Sequence, residues 1–269
     1  MHKFAHLLFV FVIVAAAYGA PAPEADGDDR ILNGKAAKFL QYPFVVSLQY
    51  KMPSDPNELV RSKFCGGSII NTEWILTAAH CINTVKSDGE MHINAGVNNA
   101  FDQTGQYPKV SKIIAHPQYN KTGEEEHDIA LLKLETPLKL GPAVQPIALP
   151  PPDFKPSGVG TIMGWGAINA DHSKSSNRLL EVSIPVSPSK DCDIFRGHRP
   201  AEHICLGGKG GGSACAGDSG GPFILTHKGK PTVAGVTSFG TVECTANEPI
   251  VYTNVAAYRG FIDSTLAQN

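Results

Sequence analysis

The sequence has no apolar run long enough to span a bilayer. Its longest, Leu7 to Ala17, is eleven residues, whereas a membrane-crossing helix needs about 20, so no membrane anchor is expected. It also lacks a block of either charge. Its 269 residues carry 23 basic and 25 acidic side chains, with no basic run and no aromatic-basic stripe. A nucleic-acid or acidic-membrane partner therefore has no electrostatic support. Amphipathic helical patterns are missing between its apolar segments, which argues against alternating strands and helices around a parallel sheet. No internal repeat is evident.

The first thirty residues have little that could fold. Met1, His2 and Lys3 lead into the Leu7–Ala17 run and then into the small residues around Tyr18, Gly19 and Ala20, the layout of a secretory signal peptide. Residues 1–19 are read as that signal, because cleavage after Gly19 places small residues, Ala17 and Gly19, at the two positions a signal peptidase inspects. Residues 20–30 follow, rich in Pro, Ala and acid (Pro21, Pro23, Glu24, Asp26, Asp28, Asp29), too poor in apolar side chains to fold alone. They read as a removable pro-segment. Residues 1–30 hold two of the basic and four of the acidic side chains, which leaves residues 31–269 with 21 of each and no formal charge. That remainder suits one all-β domain or two packed halves.

Cysteine is sparse but even. All six (Cys65, Cys81, Cys192, Cys205, Cys215, Cys244) fall after residue 30, and an even count behind a signal peptide implies three disulfides formed in an oxidising, extracellular compartment. Six cysteines allow 15 pairings, and spacing does not choose among them.

Short β-branched or alternating runs, bounded by Gly, Pro, Asn or Asp, occur at Phe44–Gln49, Gly67–Ile70, Trp74–Leu76, Ile129–Leu134, Gly160–Met163, Pro222–Leu225 and Thr232–Ser238. These are strand signals, and their recurrence predicts a mostly antiparallel β fold. Val255, Tyr258, Phe261, Ile262 and Leu266 recur at helical spacing and predict one C-terminal helix. Loops are expected over Lys51–Lys63, Asn98–Pro108 and Asp171–Asn177, and a flexible glycine-rich approach to Cys215 over Gly207–Gly212.

Three segments carry chemistry. In Gly217-Asp218-Ser219-Gly220-Gly221-Pro222, a serine is flanked by glycines that let backbone N–H groups converge on one point. A serine hydroxyl needs a base to take its proton and donors to hold the oxyanion its attack creates. Leu76-Thr77-Ala78-Ala79-His80-Cys81 sets a histidine at the end of an apolar strand, anchored by the adjacent cysteine and suited to be that base. His127-Asp128-Ile129-Ala130-Leu131-Leu132 opens another apolar strand with a carboxylate that could orient an imidazole. Each segment alone has an ordinary structural reading as a turn or strand end. The three together, in the order His, Asp, Ser, point to nucleophilic catalysis.

With these motifs the chain resembles the trypsin/chymotrypsin family of serine proteases. The resemblance runs from Arg30 to Asn269 and includes Ile31-Leu32-Asn33-Gly34 after a cleavable Arg30, Cys65-Gly66-Gly67-Ser68, Thr77–Cys81, Asp128–Leu132, Gly164-Trp165-Gly166, Gly217–Pro222, Ser238-Phe239-Gly240 and Pro249–Val255. Subtilisin-like and α/β-hydrolase proteins use the same triad in other chain orders. The resemblance implies an all-β fold of two packed antiparallel six-stranded barrels with a C-terminal helix and an active site between the barrels. It implies His80 as base, Asp128 as its orienter and Ser219 as nucleophile, with the N–H groups of Gly217 and Ser219 as the oxyanion hole. By the same resemblance the disulfides are Cys65–Cys81, Cys192–Cys205 and Cys215–Cys244. Cleavage at Arg30-Ile31 would free the Ile31 amine to pair with Asp218 and order the site.

Specificity is read from the same alignment of motifs. The base of the primary pocket falls at Ser213, with Ser238, Phe239, Gly240 and Ile250 lining its walls and far end. A neutral Ser213 offers no charge to a substrate Lys or Arg. Ile250 stands where aromatic-accepting members carry glycine, so an elastase-like preference for small or medium apolar side chains is expected, with a chymotrypsin-like preference as the alternative and a non-catalytic binding homologue as the competing class. Phe239 replaces the family's usual tryptophan, and Leu32-Asn33 its usual Val-Gly. Val97 occupies the place of a calcium-liganding glutamate, and no second ligand pair accompanies His80 and Cys81 at zinc-finger spacing, so no metal or other cofactor is expected. Expected partners are protein or peptide substrates, a trypsin-like activating protease and protein protease inhibitors, for a monomer without nucleic-acid or membrane partners.

Overall fold

In the computed structural model of the chain, the described residues are 34–51, 62–83, 89–121, 126–169 and 171–269. The segments read as signal peptide and pro-segment, and the Arg30-Ile31 bond, lie outside them.

Among the described residues, thirteen strands form two curled antiparallel sheets. The first contains β2 (Val45–Lys51), β3 (Ser62–Ile69), β4 (Trp74–Thr77), β5 (Glu90–Ala95), β6 (Val110–Ala115) and β7 (Ala130–Leu134) in the order β5-β2-β3-β4-β7-β6. Its two edges meet: His92 bridges Lys109, and Ala95 exchanges both backbone bonds with Gln106 at 2.9 Å. Closure removes the unpaired edges that would otherwise recruit another chain.

The second contains β1 (Lys35–Ala36), β8 (Val159–Gly164), β9 (Leu180–Pro185), β10 (His203–Gly207), β11 (Pro222–His227), β12 (Lys230–Phe239) and β13 (Pro249–Asn254), ordered β1-β9-β8-β11-β12-β13-β10. It closes where Val186, just past β9, bridges Leu206 on β10. The seventh strand is the two-residue β1, which adds to the edge of β9 through Lys35↔Glu181 and Ala36↔Leu180. It is the one addition to the expected six.

Every run read as a strand lies within or overlaps a strand of the fold. β5, β6, β9, β10 and β13 fall outside those runs; β5 (Glu-Met-His-Ile-Asn-Ala) and β9 (Leu-Glu-Val-Ser-Ile-Pro) alternate polar and apolar residues, but their Glu, Asn and Pro are poor strand formers. β2 shows the opposite effect. Its Val-Ser-Leu-Gln alternation predicts one wet face, yet Ser47 and Gln49 are as buried as Val46 and Leu48. Buried polar groups seek partners, and the amide of Gln49 finds one beyond the sheet: its Nε2 donates to the Ala100 carbonyl at 2.5 Å, as does Asn94 Nδ2 of β5 to the carbonyls of Ala100 and Asp102 at 3.0 and 2.9 Å.

The helical pattern at the C-terminus is realised in two pieces, a 3-10 turn over Val255–Tyr258 and then α2 (Arg259–Gln268). Asn254 caps the first piece, its Oδ1 accepting from the Ala256 N–H at 3.2 Å, which tightens the opening turn. Val255, Tyr258 and Ile262 then pack into the core of the first barrel with Leu131 and Ile129. Burial of Ile262 alone is worth roughly 1.5–3 kcal/mol. The last elements of the chain thus lock onto the half that carries β2 to β7, where Tyr258 and Phe261 also meet the ring of His116. Among the described residues, no helix is long and apolar enough to cross a membrane.

Candidate active site

β4 ends at Thr77, and after Ala78-Ala79 the chain enters the single-turn helix α1 (His80–Asn83). Cys81 in that turn is joined to Cys65 on β3, so the histidine sits on a turn stapled to the barrel wall. On the neighbouring strand, His127 adopts a left-handed backbone (φ 56°), a conformation that costs a non-glycine residue of order 1 kcal/mol or more. The kink delivers Asp128 into the interior just before β7.

Asp128 has no exposed surface and is held by three donors. Its Oδ1 accepts the His80 backbone N–H at 2.8 Å. Its Oδ2 lies 2.8 Å from His80 Nδ1 and accepts the Ser238 hydroxyl at 2.5 Å. The carbonyl of Asp128 accepts the Thr253 hydroxyl at 2.8 Å. The Asp128 oxygen accepting at Nδ1 keeps the proton of His80 on that nitrogen and leaves Nε2 as the basic one. His80 and Asp128 belong to the first barrel, Ser238 and Thr253 to the second, so the pair is fixed across the junction.

Ser219 comes from the second barrel, in the turn ahead of β11. It is moored to the first by its carbonyl, which accepts the Gly66 N–H at 2.8 Å. That close approach explains the glycine after it: at Gly220 (φ 74°) a Cβ would lie 2.2 Å from Thr77 Oγ1 and 2.6 Å from the Gly66 carbonyl. Gly217 is also left-handed (φ 94°), which turns the 217–219 backbone tightly around the serine. Asp218, between them, faces inward. It is 3 % exposed, and its oxygens accept the N–H groups of Gly166 at 2.8 Å and Cys215 at 3.0 Å. Burial pushes its carboxyl up to about 6, against the pull of those two amides and of the Lys63 charge.

Beside Ser219 opens a mostly apolar cavity of about 220 Å³. Ser238, Phe239, Gly240 and Ile250 line it. Ile250 lies across Gly240, where an added Cβ would sit 3.0 Å from Ile250 Cγ2. Ser213 is not among the lining residues. It is 1 % exposed and its hydroxyl donates to the Ala214 carbonyl at 3.1 Å, while Ala214 itself lines the wall. The sequence reading did not single out His172, Ala214, Thr237 or Val242, which also line the cavity. His172 comes from the 171–177 loop, where only turn residues are legible, and Val242 follows Gly240-Thr241 with no pattern to mark it.

The three disulfides are Cys65–Cys81, Cys192–Cys205 and Cys215–Cys244. The last closes one wall of the cavity. The two groupings of histidine and sulfur among the described residues, around His80 and around His172, use disulfide sulfurs, which offer no thiolate to a metal.

The family model described as Trypsin matches residues 31–262. The venom peptide isomerase heavy chain of Agelenopsis aperta is 35 % identical over 249 residues, covering 88 % of this chain and all of that protein. Trypsin zeta of Drosophila erecta is 37 % identical over 254 residues, 89 % of this chain and 86 % of the relative.

Proposed function

The chain belongs to the trypsin family, and on that premise we propose that it is a secreted serine endopeptidase, made as a precursor and matured by cleavage at Arg30-Ile31. The observation that carries the reading is the His80–Asp128 pair, 2.8 Å apart on one barrel with the carboxylate fully buried, together with a serine turn of the other barrel that is moored to β3 and lines an apolar cavity.

The chemistry follows from those groups. His80 Nε2 takes the proton of Ser219 Oγ as that oxygen attacks the peptide carbonyl, and the imidazolium is stabilised by the Asp128 carboxylate on its other side. Negative charge moves to the former carbonyl oxygen, where the N–H groups of Gly217 and Ser219 receive it. Collapse expels the amine, which takes the proton from His80, and leaves an acyl group on Ser219. Water, deprotonated by His80, then releases the acid and restores the serine.

The pocket reading is elastase-like. Ile250 and Ala214 line the cavity and no carboxylate does, which supports a short, neutral site for small or medium apolar side chains; a chymotrypsin-like preference is the alternative. Maturation would add the Ile31 amine to Asp218, a carboxylate already turned inward.

The test is to treat the purified precursor with trypsin, sequence the new N-terminus, and add a fluorophosphonate probe and a peptide library. An N-terminus reading Ile-Leu-Asn-Gly, labelling at Ser219 and new peptide termini are expected, and Arg30→Gln should block all three. Labelling absent after the cut would favour a binding homologue. Peptides altered without new termini would favour the activity named for the Agelenopsis relative.

A further inference from the structure

Lys63 is a charged residue on β3 whose side chain runs inward. Its ammonium donates to the carbonyl of Trp165 and, at 2.9 Å, to that of Ser176. Those two carbonyls are the neck of the 166–176 loop, which is closed on itself by the Ser176 N–H donating to the Gly166 carbonyl at 3.1 Å and by the Ala167↔Ser175 bridge. A lysine placed there crosses from the first barrel to a loop of the second.

The bond to Trp165 has a further consequence. The carbonyl of Trp165 and the N–H of Gly166 are the two ends of one peptide group. That carbonyl accepts from Lys63, and that N–H donates to Asp218 Oδ1 at 2.8 Å. An ammonium, a peptide dipole and a carboxylate are thus aligned head to tail, so that the cation polarises the amide and strengthens its bond to the anion. The approach is close: at Gly166 a Cβ would sit 2.5 Å from the Asp218 carboxyl. The next residue, Ala167, donates to the Ala216 carbonyl at 2.7 Å, so the same strand of the loop also grips the residue before Gly217.

We propose that Lys63 is a resident counter-charge and positioning residue for Asp218, acting through the Trp165–Gly166 peptide to hold the 215–219 turn in its catalytic arrangement. The inference rests on the endopeptidase reading above. The ionisable side chains in electrostatic contact with Asp218 among the described residues are Lys63 on β3 and Tyr252 on β13. Lys63 is the cation of the two, and Asp218 is in turn the charge that acts on Lys63. The Ile31 amine released by maturation would then add a second positive charge to a carboxylate that already has one.

The experiment is a double-mutant cycle on the trypsin-matured full chain, read by kcat/KM and by the second-order rate of fluorophosphonate labelling. Lys63→Met should lower both by about tenfold, the size of losing one charge-assisted bond, and Lys63→Arg should stay within about threefold of the wild type. In an Asp218→Asn background the same Lys63→Met change should cost less than about twofold, because the charge it serves is gone. Lys63→Gln, neutral but still a donor, replaces the Met variant if that chain fails to fold, and should show the same dependence on Asp218. Equal losses in both backgrounds, or a Gln variant as active as the wild type, would overturn the counter-charge role and leave the endopeptidase reading standing. A wild-type chain that the probe does not label after maturation would overturn that reading, and the inference with it.

Discussion

Replacing Ile250 by glycine tests the pocket in both stability and specificity. Ile250 is 6 % exposed, paired with Leu206 across β10 and β13, and packed in the core of the second barrel with Ile184, Tyr252 and Ala214. Removing its four side-chain carbons forfeits about 3 kcal/mol at ~0.8 kcal/mol per buried methylene, and a strand glycine adds about 0.5–1 kcal/mol of backbone entropy. The sum lies near the roughly 2–5 kcal/mol range of large-to-alanine core changes. A domain of ordinary stability, about 5–15 kcal/mol, should survive this with a lowered melting temperature. The same deletion opens the cavity where Ile250 lies across Gly240. A misfit of one methylene in an apolar pocket is worth about 1–3 kcal/mol, or roughly 10- to 200-fold in kcat/KM. Matched peptides with Ala, Leu, Phe, Tyr or Arg before the scissile bond should therefore show a Phe/Ala ratio raised by at least about tenfold. Activity on Arg should stay absent because no carboxylate is among the residues that line the cavity. If the wild type already prefers Phe, and the ratio does not move while the melting temperature falls, Ile250 is a core residue that leaves the pocket open, and the chymotrypsin-like alternative is the better reading.

Other outcomes follow from the site. Ser219→Ala and His80→Ala should each lower kcat by about 10⁶, a reference figure for triads of this kind, and the double variant should be little worse because the residues act as a unit; additive losses would contradict the shared mechanism. Ser238→Ala removes one of three donors to the buried Asp128 carboxylate, a charged hydrogen bond of about 1.5–3 kcal/mol. With both bonds to His80 intact, kcat/KM should fall by roughly tenfold, and an unchanged value would show that the hydroxyl is idle. His203 is 4 % exposed, and burial first, then the neighbouring His198, lower its pKa from 6.5 to about 4. Its depressed value means that the stability it contributes is complete above pH 6.5 and lost as pH falls toward 4, by about 3 kcal/mol. Urea melts of the wild type should show that extra loss relative to His203→Gln, and parallel curves would refute it.

Much of the site was legible in the chain itself. Glycines around Ser219, cysteines beside His80 and ahead of Asp218, and the apolar run after Asp128 are local necessities, because each catalytic group must be anchored by its immediate neighbours. The order of the three segments and the turn punctuation between strands were enough for the fold class. The strands outside those runs, β5, β6, β9, β10 and β13, carry polar residues whose placement depends on which partner covers them, as with Asn94 of β5 and the carbonyl of Ala100.

Contacts between residues far apart in sequence were decided only by the tertiary structure. Ser238 is read from sequence as a substrate-binding residue; it lines the cavity, and only the fold shows that its hydroxyl also ends on Asp128, 110 positions away. Ser213 is read as the pocket base, and the structure buries it directly behind Ala214 of the cavity wall, whose carbonyl takes its hydroxyl. Lys63 carries no sequence signal, and its link to Asp218 exists only because β3 of one barrel passes the 166–176 loop of the other. Sequence encodes local geometry through the steric limits of each residue and its neighbours. The meeting of two barrels is set by packing across a junction, and the residues that meet there share no periodicity by which the chain alone could announce them.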